Sequence, residues 1–349
     1  MKIAVYCITK NEEQFMKRWA ESAADADYLV VADTGSSDDT VKVARKAGAI
    51  VHTIGISPWR FEDARNASLA LIPLDADLCI ALDADEILMP GWRAQLEMVD
   101  PSVTRPRYKY TWSWNEDGTP GLTYGGDKIH KRHGYRWKHP VHEVLVPNGE
   151  EVQGWCGLEI HHHPDNSKSR AQYLPLLELA VREDPSDDRN AHYLGREYFN
   201  MCRYTIAAHE LKRHLALPKS KWPAERAKSM RMLAACLPDE AETWLLRACA
   251  EDPTQRDQWV DLAQHYYATA RWQDCYAAAQ RALSITGRNL SYINEAASWG
   301  YLPWDLLAIS AFRLGRYAEA VEYGEQALEL APNDDRLQAN LKWYQDALV

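Results

Sequence analysis

Residues 78–86 read Leu78-Cys79-Ile80-Ala81-Leu82-Asp83-Ala84-Asp85-Glu86. An apolar run ends abruptly in two carboxylates one residue apart. The run, Leu78–Leu82, has the length and unbroken apolar character of a strand buried on both faces. Acids at its end would project from the carboxyl edge of a sheet, where open α/β sheets hold ligands. Carboxylates this close repel unless a cation or hydrogen bonds compensate. A hard divalent ion is the usual compensation, and such ions also bind diphosphates.

Working outward, short apolar runs alternate with helical stretches on both sides of this segment. Ile3–Ile8, Tyr28–Ala32 and Ile50–Ile54 read as strands, and Glu12–Ala23, Asp38–Ala47 and Phe61–Ala70 as helices. That order implies a mostly parallel, doubly wound sheet. Residues 105–160 lose the alternation, are rich in Trp, Tyr, Gly and His, and read as antiparallel strands and loops. From about Ser167 the pattern is helical throughout, and it repeats at about 34 residues. Leu194-Gly195, Tyr198 and Ala207 open one unit; Leu262-Ala263 and Tyr266 recur two periods later. Trp304, Leu307, Ala308, Gly315, Tyr317, Ala320, Ala327 and Pro332 give the clearest copy. The expectation is an α/β domain over 1–165 and an all-α repeat domain over 166–349. Its repeats fall near 188–221, 222–255, 256–287 and 301–334, with an unpaired helix at 169–183, an insertion at 288–300 and a capping helix over 333–349.

Composition narrows the function. The chain has 349 residues and a formal net charge of -10, which argues against a general nucleic-acid binder. Its seven cysteines form no CxxC pair, so neither a zinc ribbon nor a disulfide framework is indicated. Met1-Lys2 leads straight into Ile3–Tyr6, with no signal-peptide pattern, and no apolar run approaches a membrane span. A cytoplasmic protein is expected.

Four polar constellations follow the apolar runs in order: Thr9-Lys10-Asn11-Glu12-Glu13, Asp33-Thr34-Gly35-Ser36-Ser37-Asp38, Trp59 to Asn66 with Arg65, and Asp83-Ala84-Asp85-Glu86. Gly35 suits a tight turn and Ser36 to Asp38 suit the N-cap of the next helix, leaving Asp33 a free carboxylate at the sheet edge. Arg65 suits a phosphate or base. In this order the motifs resemble those of family 2 nucleotide-sugar glycosyltransferases with the GT-A (Rossmann-like, mixed-sheet) fold, over roughly residues 1–165. The wording Lys-Asn-Glu-Glu, Asp-Thr-Gly-Ser, Ala-Arg-Asn, Asp-Ala-Asp-Glu is similar to the subgroup that carries C-terminal tetratricopeptide repeats.

The resemblance implies a role for each matching residue. Thr9, Asn11 and Glu12 would line the nucleotide pocket, and Asp33 would bind base or ribose. Arg65 would contact base or diphosphate, Asp83 the ribose or a metal-bound water, and Asp85 an Mn²⁺ or Mg²⁺ ion. Lys138-His139-Pro140-Val141-His142-Glu143 matches the subgroup's His-Glu element, and Ile160-His161-His162-His163-Pro164 its later His element. Pro164 departs from the small residue common there. His162 is the expected metal ligand, with His161 and His163 in reserve. An inverting transferase needs a base on the acceptor; Glu143 is the candidate, oriented by His142, with Glu116 and Asp117 as rivals.

The reading is therefore a metal-dependent inverting transferase that uses a UDP-sugar donor and a hydroxyl or thiol acceptor on a peptide, protein or glycan. Arg105, Arg107, Lys109, Lys128, Lys131, Arg132, Arg136 and Lys138 interleave with Trp112, Trp114, Tyr124, Tyr135 and Trp137. That basic, aromatic zone suits diphosphate binding and packing. It also suits a polyanion, and the subgroup that the chain resembles includes phage transferases; the resemblance therefore implies, as one alternative, a phage-type enzyme acting in the host cytoplasm on 5-hydroxymethylpyrimidine bases of DNA. A repeat scaffold with an inert transferase half is another. The helical half reads equally as a buttress or as a groove for a polypeptide.

Overall fold

The structure, a computed structural model, describes residues 1–115, 117–165 and 172–348. It divides into two compact units, Met1–Ala180 and Val181–Val349. The expected boundary at 165/166 adjoins residues outside that description.

In the first unit, β1 (Ile3–Thr9), β2 (Tyr28–Asp33), β3 (Ile50–Thr53) and β4 (Leu78–Ala81) alternate with α1 (Glu13–Ser22), α2 (Thr40–Lys46) and α3 (Phe61–Ala70). β5 (Glu86–Leu88) and α4 (Trp92–Glu97) follow, then β6 (Arg105–Thr111), β7 (Thr123–Gly126), β8 (Ile129–Lys131), β9 (Tyr135–Lys138), β10 (Val144–Pro147) and β11 (Gln153–His162). The main sheet runs β3-β2-β1-β4-β8, parallel except for β8. Chain order reverses between β1 and β4, so the loops after these strands open onto a switch point, the usual ligand crevice of such sheets.

The continuous apolar strands are explained by cover on both faces. Ile3, Val5 and Cys7 of β1 pack with Met16, Trp19 and Ala20 of α1, whereas Ala4 and Tyr6 pack with Leu69, Tyr135 and Trp137. Trp19 is wholly buried and spends its indole N–H on the Leu82 carbonyl at 2.9 Å, fixing α1 to the end of β4.

A second sheet runs β5-β11-β6-β7. Here the antiparallel expectation for 105–160 needs correction. β6 and β11 pair in parallel, while β5–β11, β6–β7 and β9–β10 are antiparallel. The excursion through β7 to β10 is long enough for the crossover that a parallel pair requires.

The second unit is helical and follows the expected periods. α5 (Tyr173–Glu183) spans the division between the units; the start of the helix expected at 169–183 lies outside the described residues. Antiparallel pairs α6 (Asp188–Asn200) and α7 (Tyr204–Ala216), α8 (Pro223–Cys236) and α9 (Ala241–Glu251), α10 (Arg256–Ala268) and α11 (Trp272–Leu283) come next. After the short α12 (Ala296–Trp299) come α13 (Leu302–Arg313) and α14 (Tyr317–Leu330), then α15 (Asp335–Leu348). Small residues allow the close approach: Ala207, Ala248, Ala279 and Ala327 are fully buried, and a Cβ on Gly195 would sit 2.8 Å from Leu211 Cδ2. Among the described residues no helix is long and apolar enough to cross a membrane.

Candidate active site

The loops after β1 and β2 are laced together. Asn11 adopts φ 57°, its N–H donates to Ser36 Oγ at 2.9 Å, and its Oδ1 accepts from Ser37 N at 2.8 Å. Glu12 N donates to Thr40 Oγ1 at 2.7 Å. Asp33 is not the free carboxylate expected. It is 2% exposed, and its oxygens accept from Gly35 N and Ser36 N, both at 3.1 Å, from Ser36 Oγ, and from Thr9 Oγ1 at 3.5 Å. The turn folds back onto its own first residue, as Asp side chains commonly make it do. The helix start also falls later than Ser36–Asp38 suggested: Asp39 is the cap residue of α2, while Asp38 accepts from Thr40 N at 3.0 Å.

At the end of β4 the two acids separate. Asp83 Oδ1 accepts from Arg65 Nη2 at 2.7 Å, and Oδ2 from Lys128 Nζ at 2.6 Å. Burial alone would raise the Asp83 carboxyl; the two cations overcome it and hold the group well below the usual carboxylate range. Lys128, in the loop before β8, also reaches Glu86 Oε1 at 3.0 Å, which accepts from the Tyr110 hydroxyl at 2.6 Å. Glu86 Oε2 accepts from Asp83 N at 2.8 Å. Burial pushes the Glu86 carboxyl up, against the pull of Lys128.

Arg65 of α3 is 6% exposed and lies over the Trp137 ring at 4.8 Å. Its Nε donates to Glu143 Oε1, so one guanidinium bridges Asp83 and Glu143. His142 precedes with φ 49°, its ring 5.6 Å from Tyr173. Of the rival bases, Asp117 is exposed and its Oδ1 accepts from Thr119 N and Oγ1 at 2.9 and 2.6 Å. Glu116 lies outside the described residues.

Asp85 meets a different partner. β11 pairs with β5 so that His162 stands opposite Glu86, and His163 N donates to the Asp85 carbonyl at 2.8 Å. His162 Nε2 thereby comes 3.3 Å from Asp85 Oδ2. Its other nitrogen, Nδ1, lies 2.9 Å from the Trp112 carbonyl, and its ring stacks on Trp112 at 4.2 Å. Nδ1 must carry a proton to bond a carbonyl, which turns Nε2 toward the acid, the usual way a ligating imidazole is held. Burial opposes a charge on His162, but Asp85 outweighs it and raises the group. His161 faces Glu159 at 3.5 Å, and His163 stacks on Trp114 at 5.5 Å.

Among the described residues no group of three or more His, Cys, Asp or Glu is arranged to hold a metal ion. The expected trio Asp83, Asp85 and His162 is not assembled: Asp85 and His162 face each other, and both oxygens of Asp83 are taken by cations. A carboxylate and an oriented imidazole suit a divalent ion that completes its shell with diphosphate oxygens and water.

Sequence reasoning assigned no individual role to Lys128, Glu86 or Tyr110. The position of Glu86 beside Asp85 was its only signal, and Lys128 was one cation among eight. Five of the eight cations serve the fold: Arg105 pairs with Asp127 and Glu151, Arg107 bonds the Gly125 and Gly126 carbonyls, Lys109 pairs with Glu159, Lys131 donates to the Pro101 carbonyl, and Arg132 donates to the Ile72 carbonyl.

A tetratricopeptide repeat model matches residues 302–334, which is the fourth expected repeat. An uncharacterized glycosyltransferase of Rickettsia conorii is 32% identical over 108 residues, 31% of this chain and 37% of that protein. A TPR repeat-containing protein of Synechococcus elongatus is 35% identical over 104 residues, 28% of this chain and 24% of that one. The chain thus spans between about a quarter and little more than a third of the length of these curated relatives. Among solved structures, MamA covers 47% of this chain and 89% of its own, at 19% identity and TM-score 0.38.

Proposed function

We propose that the first unit is a glycosyltransferase that moves a sugar from a nucleotide-sugar of the UDP type to an acceptor hydroxyl or thiol, with inversion. One observation carries the reading. At the switch point of a parallel sheet, adjacent acids are held in opposite ways, Asp83 locked by Arg65 and Lys128, and Asp85 aimed together with His162. The relatives named as uncharacterized glycosyltransferases support it over a limited stretch.

In this reading the laced loops of Thr9, Asn11, Glu12 and Asp33 shape the nucleotide pocket, with Asp33 setting the turn rather than reaching out. Asp85 and His162 would hold Mn²⁺ or Mg²⁺. A bound ion supplies positive charge against the leaving diphosphate. Asp83 anchors Arg65 and Lys128 along the same edge. Glu143, one oxygen of which is fixed by Arg65, takes the acceptor proton on the other. The acceptor oxygen or sulfur bonds to the anomeric carbon as the bond from that carbon to the phosphate oxygen breaks, and its electron pair leaves on the nucleoside diphosphate.

The test is calorimetric titration of UDP, GDP and dTDP with Mn²⁺, followed by donor hydrolysis with the matching sugars. Asp85→Ala should abolish metal-dependent binding and turnover; undiminished turnover would sink the metal assignment. Absence of any nucleoside diphosphate binding would favour an inert domain on a repeat scaffold. Transfer to hydroxymethylated DNA but never to peptide would favour the DNA reading, which the internal pairing of the basic zone does not support.

A further inference from the structure

The helical unit contains a segment its repeats do not require. Residues 288–300 interrupt the spacing of helix pairs between α11 and α13. A connection with no packing duty ordinarily runs over the surface, yet Ile293, Asn294 and Ser298 are buried. The segment lies against α6, α8 and α10, the first helices of three successive pairs.

Its contacts reach all three of these helices. The Tyr292 hydroxyl donates to Glu225 Oε2 of α8 at 2.6 Å, and its ring stacks on Tyr193 of α6 at 6.2 Å. Three residues on, the Glu295 carboxylate pairs with Lys228 and with Arg231 Nη2, the latter at 3.2 Å, both on α8. Glu295 N donates to Asp257 Oδ1 of α10 at 2.7 Å. From 292 to 295 the segment is neither helix nor strand; these side-chain anchors, the backbone bond, the buried Ile293 and the contact of the Tyr292 ring with Trp222 at 5.6 Å hold it.

The face itself calls for an anion. Lys228 and Arg231 stand one helical turn apart, and Arg231 is 5% exposed. Its Nε pairs with Asp261 at 2.6 Å, while its Nη1 is buried without a hydrogen-bond partner among the described residues. Asp261 answers one side of Arg231, and Glu295 supplies the carboxylate that reaches both cations. The fit is incomplete: a cavity of about 180 Å³ remains, lined by His192, Arg196, Lys228, Tyr292, Asn294 and Glu295.

We propose that residues 288–300 are an intramolecular ligand on a polypeptide-binding face formed by α6, α8 and α10. A partner segment that carries a tyrosine and, three residues on, a carboxylate takes their place. This stands independently of the transferase reading. A tethered segment competes at an effective concentration on the order of 1 mM, so the intact chain binds such a partner weakly until its own segment is released.

The test uses the full chain and a fluorescently labelled peptide of residues 286–300. The double variant Tyr292→Ala, Glu295→Ala frees the face, and should bind the peptide about tenfold or more tightly than the wild type. Adding Lys228→Glu to it should remove that gain. A double variant that folds by circular dichroism yet binds no more tightly overturns the proposal, as does a gain indifferent to Lys228→Glu. A double variant that fails to fold overturns it too, since the segment would then be part of the fold rather than its ligand.

Discussion

Arg65→Met removes the guanidinium that joins Asp83 to Glu143 while keeping most of the aliphatic stem. The magnitude follows from the two contacts. At about 3 Å and an effective dielectric near 20, each is worth about 5 kcal/mol as an upper bound. Desolvation offsets much of that, and breaking a buried pair from one side costs about 3–5 kcal/mol net. The loss falls unevenly, because Asp83 retains Lys128. Glu143, whose side chain is 11% exposed, loses the cation that holds its Oε1. Arg65→Met, Glu143→Gln should therefore be more stable than Arg65→Met alone, by at least about 1 kcal/mol, because a neutral amide needs no counter-cation. Urea denaturation followed by tryptophan fluorescence reads both values. A single variant that loses less than about 1 kcal/mol, or a double variant no more stable than the single, would refute the claim that Arg65 is a buried charge junction.

Two further predictions concern the helical unit. Burial pushes the His192 imidazole down to about 3, with Glu225 pulling the other way and His214, Arg196 and Lys228 adding to the depression. Unfolded, it titrates near 6.5, so between the two values the unfolded chain binds more protons and stability rises with pH. Its share is full above about 6.5 and falls by about 2 kcal/mol from pH 7.5 to 5; denaturation of His192→Gln at both values should show that share gone, and an unchanged slope would count against it. Glu225, held at about 2 despite burial by His214, His192 and Tyr292, adds nothing over that range and loses its contribution only as pH falls below about 4.5. Gly195→Val forces side-chain atoms into Leu211 and should cost about 1–3 kcal/mol in thermal melts, with no loss marking a looser α6–α7 contact than the distances describe.

Patterns that live within one element were legible in the sequence. Phe61–Ala70 forms the helix its spacing predicts, and the small residues of the repeats fall where the pairs approach. Interactions that depend on distant chain segments were not. Lys128 meets Asp83 across 45 positions, and Glu143 meets Arg65 across 78; neither pairing leaves a periodic trace. The parallel alignment of β11 with β6 depends on where a long excursion returns. Asp33 misled for a different reason: an Asp before Thr-Gly-Ser reads equally as a ligand and as the acceptor that closes its own turn, and only its burial separates the two.

The same limit explains what became of the acid pair that ends β4. Two carboxylates one residue apart are equivalent in the sequence, and their side chains are nearly equally exposed, 28% for Asp83 and 29% for Asp85. Exposure therefore cannot assign them different work; partners do. β4 ends at Ala81 and a turn follows at Ala84-Asp85, closed by Glu86 N donating to the Asp83 carbonyl at 2.9 Å, so the two acids do not share a strand face: Asp83 turns toward α3 and the β8 loop, where Arg65 and Lys128 wait. Asp85 turns toward β11, where His162 is held by the Trp112 carbonyl. Repulsion between the acids is thus relieved on one side by the protein's own cations. Relief on the other side rests on His162, so in the proposed site Asp85, and not Asp83, is the acid left to meet a bound cation.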